Sequence, residues 1–406
     1  MSAVSQALSG VKVAEFGAYA AGPHIGKMLA TFGATVVHVE SRSRPDGFRL
    51  EYPPYKDGRT GVDRSGCFAI FNDSKRAVTL DLKNEAGVAL ARQLIGWSDI
   101  VIENMRPDVM ARLGLGYEEA CALRPGIVMI SSCNMGQTGP RAQTPGFGSQ
   151  LSSLSGFCGL TGSPDGPPQL LYGPYIDFIA STLGASAVLA GLDRQRRTGQ
   201  GALIDLAQYE SGLMFIAGSM FDYHRDGVVA ERASNRDPNA APHDAYRCRD
   251  GQWLVLSCWS DAEFARLAGT IGMPGLADDA RFATLGARQA NETELSELIG
   301  KWSVECDASE AATALQAIQV HAYPVNTIAD LFDDPQLGYR RTWRRRRHGA
   351  VGDLACYFSA FDLSDVPGDV TGAAPMLGAD NEYVFRELVG LSCEQYADYR
   401  ESGAFE

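Results

Sequence analysis

Residues 173–201, GPYIDFIASTLGASAVLAGLDRQRRTGQG, place a single carboxylate, Asp177, at the mouth of a stretch with no ionisable side chain from 178 to 192. The small and aliphatic composition of that stretch predicts a buried helix packed closely on a neighbour. An aspartate there is expected as an N-cap, accepting free amide hydrogens at the positive end of the helix. The same position suits a nucleophile: apolar surroundings strip water from the carboxylate and raise its pKa, and the helix end counteracts that rise by favouring the anion. Other groups fit catalysis less well. The nine cysteines, at 67, 121, 133, 158, 248, 258, 306, 356 and 393, form no CxxC pair, and neither Cys133 nor Cys158 has a histidine beside it in sequence. They read as reduced, mostly buried thiols of a cytoplasmic protein. The six histidines show no HxxxH or HExxH spacing, so no metal site is expected. His24 follows the Gly22-Pro23 turn and reads as a packing or helix-start residue.

The elements that must position Asp177 are legible around it. Upstream, residues 161–174 (TGSPDGPPQLLYGP) form a Gly/Pro-rich approach; downstream, Arg194, Arg196, Arg197 and Gly199 end the helix before a strand, ALIDLAQ. Toward the amino end, VKVAEF, AGPHIGKMLATF and ATVVHVE alternate strand, helix and strand, and AVTLDLK, NEAGVALARQLIGWS and DIVIEN repeat the alternation before GIVMISSC. That order predicts a parallel, Rossmann-like sheet with crossover helices in an α/β protein. A helical stretch over 209–225 leads to a polar, proline-bearing linker at 226–245. A smaller α/β unit over 246–330 follows, and then a returning segment at 331–406 that contains the arginine run 344–347. The length of 406 residues allows two domains, and 45% hydrophobic with 21% charged residues fits a soluble globular enzyme. A net charge of −13 argues against nucleic-acid or anionic-membrane partners, and the arginine run reads as a solvated or interface face. The polar lead-in MSAVSQALSG shows no secretory leader, and no apolar run reaches the ~20 residues that span a bilayer, so a cytoplasmic location is expected.

The loop, aspartate, apolar helix, Arg-rich end, Thr-Gly-x-Gly and strand together resemble the family III CoA-transferases, the formyl-CoA and carnitine-CoA transferase family. Further blocks carry the resemblance in order: LSGVKVAEFGAYAAGPHIGKMLATFGATVVHVES, FNDSKRAVTLDLK, DIVIENMRPDVMARLGLGYE, GQTGPRAQTPGFGSQLSSLSGFCGLTG and APMLGADNEYVFRELVGLS. The resemblance implies a large Rossmann-like CoA-binding domain built from both chain ends (1–225 and 331–406) and a small α/β domain between them. It also implies two interlocked subunits, as a homodimer or with a paralogous partner. Asp177 matches the catalytic aspartate, which attacks a thioester, forms a mixed anhydride and then carries coenzyme A as an aspartyl-CoA thioester. Tyr19, Ala20, Ala21, Arg42, Lys75, Asn104, Met105, Arg112 and Leu113 match blocks that line the CoA cleft, where Arg or Lys meets the phosphates. Acyl-CoA thioesters and carboxylic acids are then substrates, with no permanently bound cofactor. The polyglycine loop that covers the site in formyl-CoA transferases has no counterpart here.

Two other readings use the same fold. An α-methylacyl-CoA racemase would use the aspartate as a base opposed by the histidine of a Gly-His-Asp block, but that block here is Gly146-Phe147-Gly148. A silent subunit of a heteromer would be expected to have lost the aspartate. Residues 44–83 resemble subunits of succinyl-CoA:benzylsuccinate CoA-transferases, which implies succinyl-CoA as donor and an aryl-substituted dicarboxylate as acceptor. Phe48, Tyr52, Tyr55, Phe147 and Tyr172 are candidate walls for such an acid, and Arg49, Arg64 or His24 the candidate cation for its free carboxylate.

Overall fold

A computed structural model of the chain describes residues 6–406; residues 1–5, half of the polar lead-in, lie outside the described residues. The chain divides into two compact units, Met1–Cys158 with Leu170–Val229 and Pro335–Glu406, and Gly159–Gln169 with Ala230–Asp334.

The first unit is built on six parallel strands: β1 (Lys12–Phe16), β2 (Thr35–Glu40), β3 (Arg76–Thr79), β4 (Ile100–Glu103), β5 (Val128–Cys133) and β6 (Ala202–Ala207). Their order is β3-β2-β1-β4-β5-β6, so the winding reverses between β1 and β4. The central strands are apolar on both faces, as a sheet covered on both sides requires. On one face Ile25 and Leu29 of helix α1 (Ala21–Thr31) pack against Val13, Val36, Ile102 and Ile130. On the other, Leu90 and Leu94 of the helix Glu85–Trp97 meet Val384, Phe385 and Phe405 from the far end of the chain. The edge strand β3 is sealed by that same end. Ala77 N donates to Asp380 Oδ2 (2.9 Å), Thr79 N to Asn381 Oδ1 (2.8 Å) and Thr79 Oγ1 to the Phe405 carbonyl (2.9 Å).

Two further helices hold the candidate site, α2 (Gly148–Leu154) and α3 (Tyr175–Thr198). Helix α3 lies close on α1 and the sheet: a Cβ at Gly184 would stand 2.7 Å from Ile25 Cδ1 and 3.2 Å from Ile130 Cδ1 on β5. By length and composition α3, alone among the described residues, could cross a bilayer, contrary to the sequence reading, but Ile176, Ala180, Val188 and Leu192 are buried inside the unit. It also starts earlier than expected. Its N-cap is Pro174, which has no side chain able to accept, so Asp177 sits within the first turn and does not cap the helix. The helical stretch at 209–225 is broken into Gln208–Ser211, a tight turn Leu213–Ile216 and Ala217–Asp226.

The second unit carries β7 (His243–Arg247), β8 (Trp253–Ser257) and β9 (His321–Pro324) as an antiparallel sheet around Leu254, Phe264, Phe282, Leu295 and Leu315. The two units divide the chain differently from the expected limits in two places. Residues 159–169 belong to this unit, because Ser234 N and the Arg232 guanidinium donate to the carbonyls of Gly162, Ser163 and Gly166. The span read as a linker at 226–245 makes those bonds and begins strand β7. Within the first unit the arginine run forms β10 (Trp343–His348), paired antiparallel with β11 (Gly352–Tyr357), and Arg344 and Arg346 both bond to Asp369.

Candidate functional site

The winding reversal opens a crevice at the carboxyl ends of β1 and β4, the usual ligand position in such sheets. Asn104, just past β4, clamps the turn after β1: its Oδ1 accepts from Ala18 N (2.8 Å) and its Nδ2 donates to Ala18 O (2.9 Å). Tyr19 adopts a left-handed φ of 61°, which a non-glycine residue holds only when its neighbours fix it. The fixing group is buried Asp46, whose carboxylate accepts from Tyr19 N at 3.0 and 3.1 Å and whose pKa burial pushes up to about 6. The Tyr19 hydroxyl donates to Glu51 (2.8 Å), and burial together with that carboxylate pushes the phenol up to about 12. Ala20 and Ala21 are buried and small, which leaves the backbone of the turn approachable.

Around this crevice the candidate cations separate. Arg42, beyond β2, and Arg112, beyond β4, are exposed and enter no ion pair among the described residues. Met105 and Leu113 lie partly buried against the core beneath them. Arg106, which the sequence reading passed over inside the same ENMRP block, is likewise exposed and unpaired among the described residues. Lys75 differs from these. Its ammonium is buried and spends all three protons on Glu15 Oε1 (2.7 Å), the Pro23 carbonyl (2.7 Å) and Asn72 Oδ1 (2.9 Å), leaving none for a phosphate. Glu15 also receives His38 Nδ1 at 2.7 Å. Lys75→Met would strand a buried carboxylate, and a loss of about 3–5 kcal/mol in folding stability is expected by denaturant titration. A midpoint unchanged from wild type would contradict the strut role.

Asp177 projects toward the start of α2. A Cβ on Gly148 would stand 1.9 Å from Asp177 Oδ2 and 3.0 Å from Pro174 Cα, so only glycine leaves room for this carboxylate. That oxygen is buried with no hydrogen-bond partner among the described residues. Burial pushes the Asp177 pKa up to about 7, opposed only by its own backbone N–H. A carboxylate that is desolvated, unpartnered and able to ionise near neutrality suits nucleophilic attack or proton abstraction. Asn134, at the end of β5, steadies the approach by donating to the Gly146 carbonyl (2.9 Å).

The surrounding wall is aromatic. Tyr19 makes edge contacts with Phe48, Tyr52 and Phe147, Phe48 packs on Phe71, and Phe71 packs on Phe178, the residue after the carboxylate. Of the expected walls, Tyr55 pairs with Ser65 and Tyr172 stands free in solvent, so neither joins this group. The expected cations are all committed. Arg49 is buried, with a two-bond fork on Glu40 (2.8 and 2.7 Å) and a third bond to Asp63. Arg64 donates to the carbonyls of Arg59 and Lys56, and both ring nitrogens of His24 are engaged. Phe147 and Gly148 bring no proton carrier to Asp177. The Cys133 thiol is pushed up by burial and by Glu103 and Asp205, the opposite of what a thiolate nucleophile needs.

The model for CoA-transferase family III matches residues 8–381. The chain is 35% identical to the succinyl-CoA–D-citramalate CoA-transferase of Chloroflexus aurantiacus over 96% of both chains. It is 34% identical to the succinate–glutarate CoA-transferase of Agrobacterium fabrum, over 94% of this chain and 95% of that one. Among solved structures, a CAIB/BAIF family protein from Brucella suis superposes with a TM-score of 0.87 at 30% identity, over 95% of this chain and all of the other.

Proposed function

Because the chain belongs to CoA-transferase family III and is a CoA-transferase whose substrates are CoA thioesters, we propose that Asp177 is the nucleophile that carries coenzyme A between two acids. The observation that carries this reading is the buried, unpartnered Oδ2 of Asp177 beside Gly148. The ionised carboxylate attacks the donor thioester, forming a mixed anhydride and releasing CoA thiolate. The thiolate then attacks the Asp177 carbonyl, expelling the donor acid and leaving an aspartyl-CoA thioester. The acceptor carboxylate attacks this thioester in turn, releasing the thiolate a second time. The thiolate finally takes the acceptor acyl group and frees Asp177. Each step exchanges one activated acyl group for another of similar energy, so the sequence balances without ATP or a metal.

The nucleotide is placed along the carboxyl ends of β2, β1 and β4, with Arg42 and Arg112 meeting phosphate and the Tyr19-Ala20-Ala21 turn passing the pantetheine arm. Succinyl-CoA is the proposed donor, supported by the two relatives, whose names pair succinyl-CoA or succinate with a second dicarboxylic acid. The acceptor is proposed as an aryl-substituted dicarboxylate such as benzylsuccinate, supported by the Phe71, Phe147 and Phe178 surfaces. An interlocked dimer fits the exposed apolar run of Met214, Phe215, Met220, Phe221, Tyr223 and Val229, and the free, mostly buried thiols fit a cytoplasmic location. No proton carrier faces Asp177 from positions 147 and 148, so racemisation receives no support.

Incubation with succinyl-CoA followed by hydroxylamine and peptide mass analysis should find the modification on Asp177; a modification elsewhere would overturn the assignment. A panel of acids with succinyl-CoA as donor tests the acceptor. Transfer to citramalate or glutarate with none to benzylsuccinate would reject the aryl acid and leave the reaction intact. The pH profile follows from the anion's role. Since the nucleophile must be ionised, kcat/KM for succinyl-CoA should rise with pH through about 7 and level off above it. A profile flat from pH 5 to about 9 would contradict that requirement.

A further inference from the structure

Beneath the first turn of α3 lies a hydrogen-bonded column that the transfer steps above do not use. The Ser181 hydroxyl donates back to the Phe178 carbonyl at 3.0 Å, so its lone pairs are left to face His24 Nδ1 at 2.8 Å. The proton of that contact therefore resides on Nδ1, and Nε2 is the acceptor for the Tyr357 hydroxyl at 2.8 Å. The Phe71 and Phe178 rings stand edge-on to the imidazole, with centroids 5.8 and 5.3 Å away. Below, the Lys27 ammonium sits 3.5 Å from the Tyr357 ring centroid while bonded to Asp73 (2.6 Å) and to the Ile70 carbonyl (2.8 Å). Burial and the Lys27 and Lys75 charges push the His24 pKa down to about 4, so the ring is neutral at working pH and holds one tautomer. Both ring nitrogens of His24 and the Ser181 and Tyr357 hydroxyls are thus used, and the imidazole is not free to exchange protons with substrate.

We propose that His24 is a positioning residue: through Ser181 and Phe178 on one side and Tyr357 on the other, it sets the first turn of α3, and with it Asp177, against the turn that begins α1. His24 lies one helical turn after Ala20 and Ala21. The column therefore joins the backbone expected to pass the thioester to the carboxylate expected to attack it. Two ordinary packing contacts would leave this register soft. Hydrogen bonds at both ring nitrogens and rings on two sides leave the imidazole a single orientation. The inference rests on Asp177 being the nucleophile.

The test is the single-turnover rate of Asp177 adduct formation with succinyl-CoA, read by rapid quench and peptide mass. Tyr357→Phe, which removes one hydroxyl, should slow it about 10-fold, and His24→Phe about 50-fold, while KM for succinyl-CoA stays within about twofold. His24→Asn, whose amide can still donate to Ser181, should keep more of the rate than His24→Phe. The double variant should be no slower than His24→Phe alone, because both break one column. Adduct formation at the wild-type rate in both single variants, or additive losses in the double, would overturn the proposal. If His24→Phe does not fold, Tyr357→Phe alone decides. No adduct on Asp177 in the wild-type enzyme would instead reject the nucleophile itself, so the two failures are distinguishable.

Discussion

Asp177→Asn is expected to abolish transfer, by on the order of 10⁴-fold in kcat, and at the same time to raise the thermal midpoint above pH 7. The first effect follows because an amide is too weak a nucleophile to open a thioester. The second follows from the carboxylate's position. The folded protein holds the Asp177 proton up to about pH 7, against an ordinary 3.8. Between those values the native state binds the proton more tightly than the unfolded chain, so stability declines as pH rises through this window. Above pH 7 the native state bears a desolvated charge in full. The difference corresponds to at most about 4 kcal/mol, and because the residue is only partly buried the expected gain on removing the charge is about 1–2 kcal/mol. Calorimetry at pH 5 and 8 with a transfer assay checks both effects. An inactive variant that is also less stable at pH 8 would mean that the carboxylate is structural.

Gly148→Ala should also lower activity strongly, though less than Asp177→Asn, with little loss of fold. The added methyl would overlap Asp177 Oδ2 at 1.9 Å and press on Pro174 Cα and Cβ at 3.0 Å. The carboxylate can swing away where the proline backbone cannot, so the nucleophile is displaced while α2 remains seated. A displacement of about 1 Å at a reacting atom is commonly worth about 10²-fold, and that is the fall in kcat expected here. Ser153→Ala, on the exposed face of the same helix, serves as the control and should leave the rate within about twofold. A Gly148→Ala enzyme as active as its parent would show that the carboxylate does not react from its observed position.

The alternation of strands and helices was readable because the strands are short apolar runs and the helix Glu85–Trp97 carries its own N-cap, Asn84. Asp177 was readable for a related reason: it is the only charge at the mouth of an apolar stretch. Local pattern misjudged its backbone role, because the helix already begins at Tyr175 with Pro174 as its N-cap, which moves the start upstream of Asp177. The cations were harder still. Lys75 and Arg49 look like ligand-binding charges in sequence, but they neutralise Glu15 and Glu40, which the parallel sheet buries from other parts of the chain. Arg42 and Arg112 carry the same charge and enter no ion pair among the described residues. Nothing within a window of ten residues separates the two kinds. The return of 159–169 to the second unit was hidden for the same reason, since its partners lie at 232 and 234.

The seal on β3 bears on how the protein is made. The groups that close this edge, Asp380, Asn381 and the Phe405 carbonyl, are synthesised roughly three hundred residues after β3. Until those residues are made, the nascent first unit therefore carries an open sheet edge and an uncovered apolar face at Leu90 and Leu94. Its demand for chaperone protection is set by the time taken to translate the roughly three hundred intervening residues.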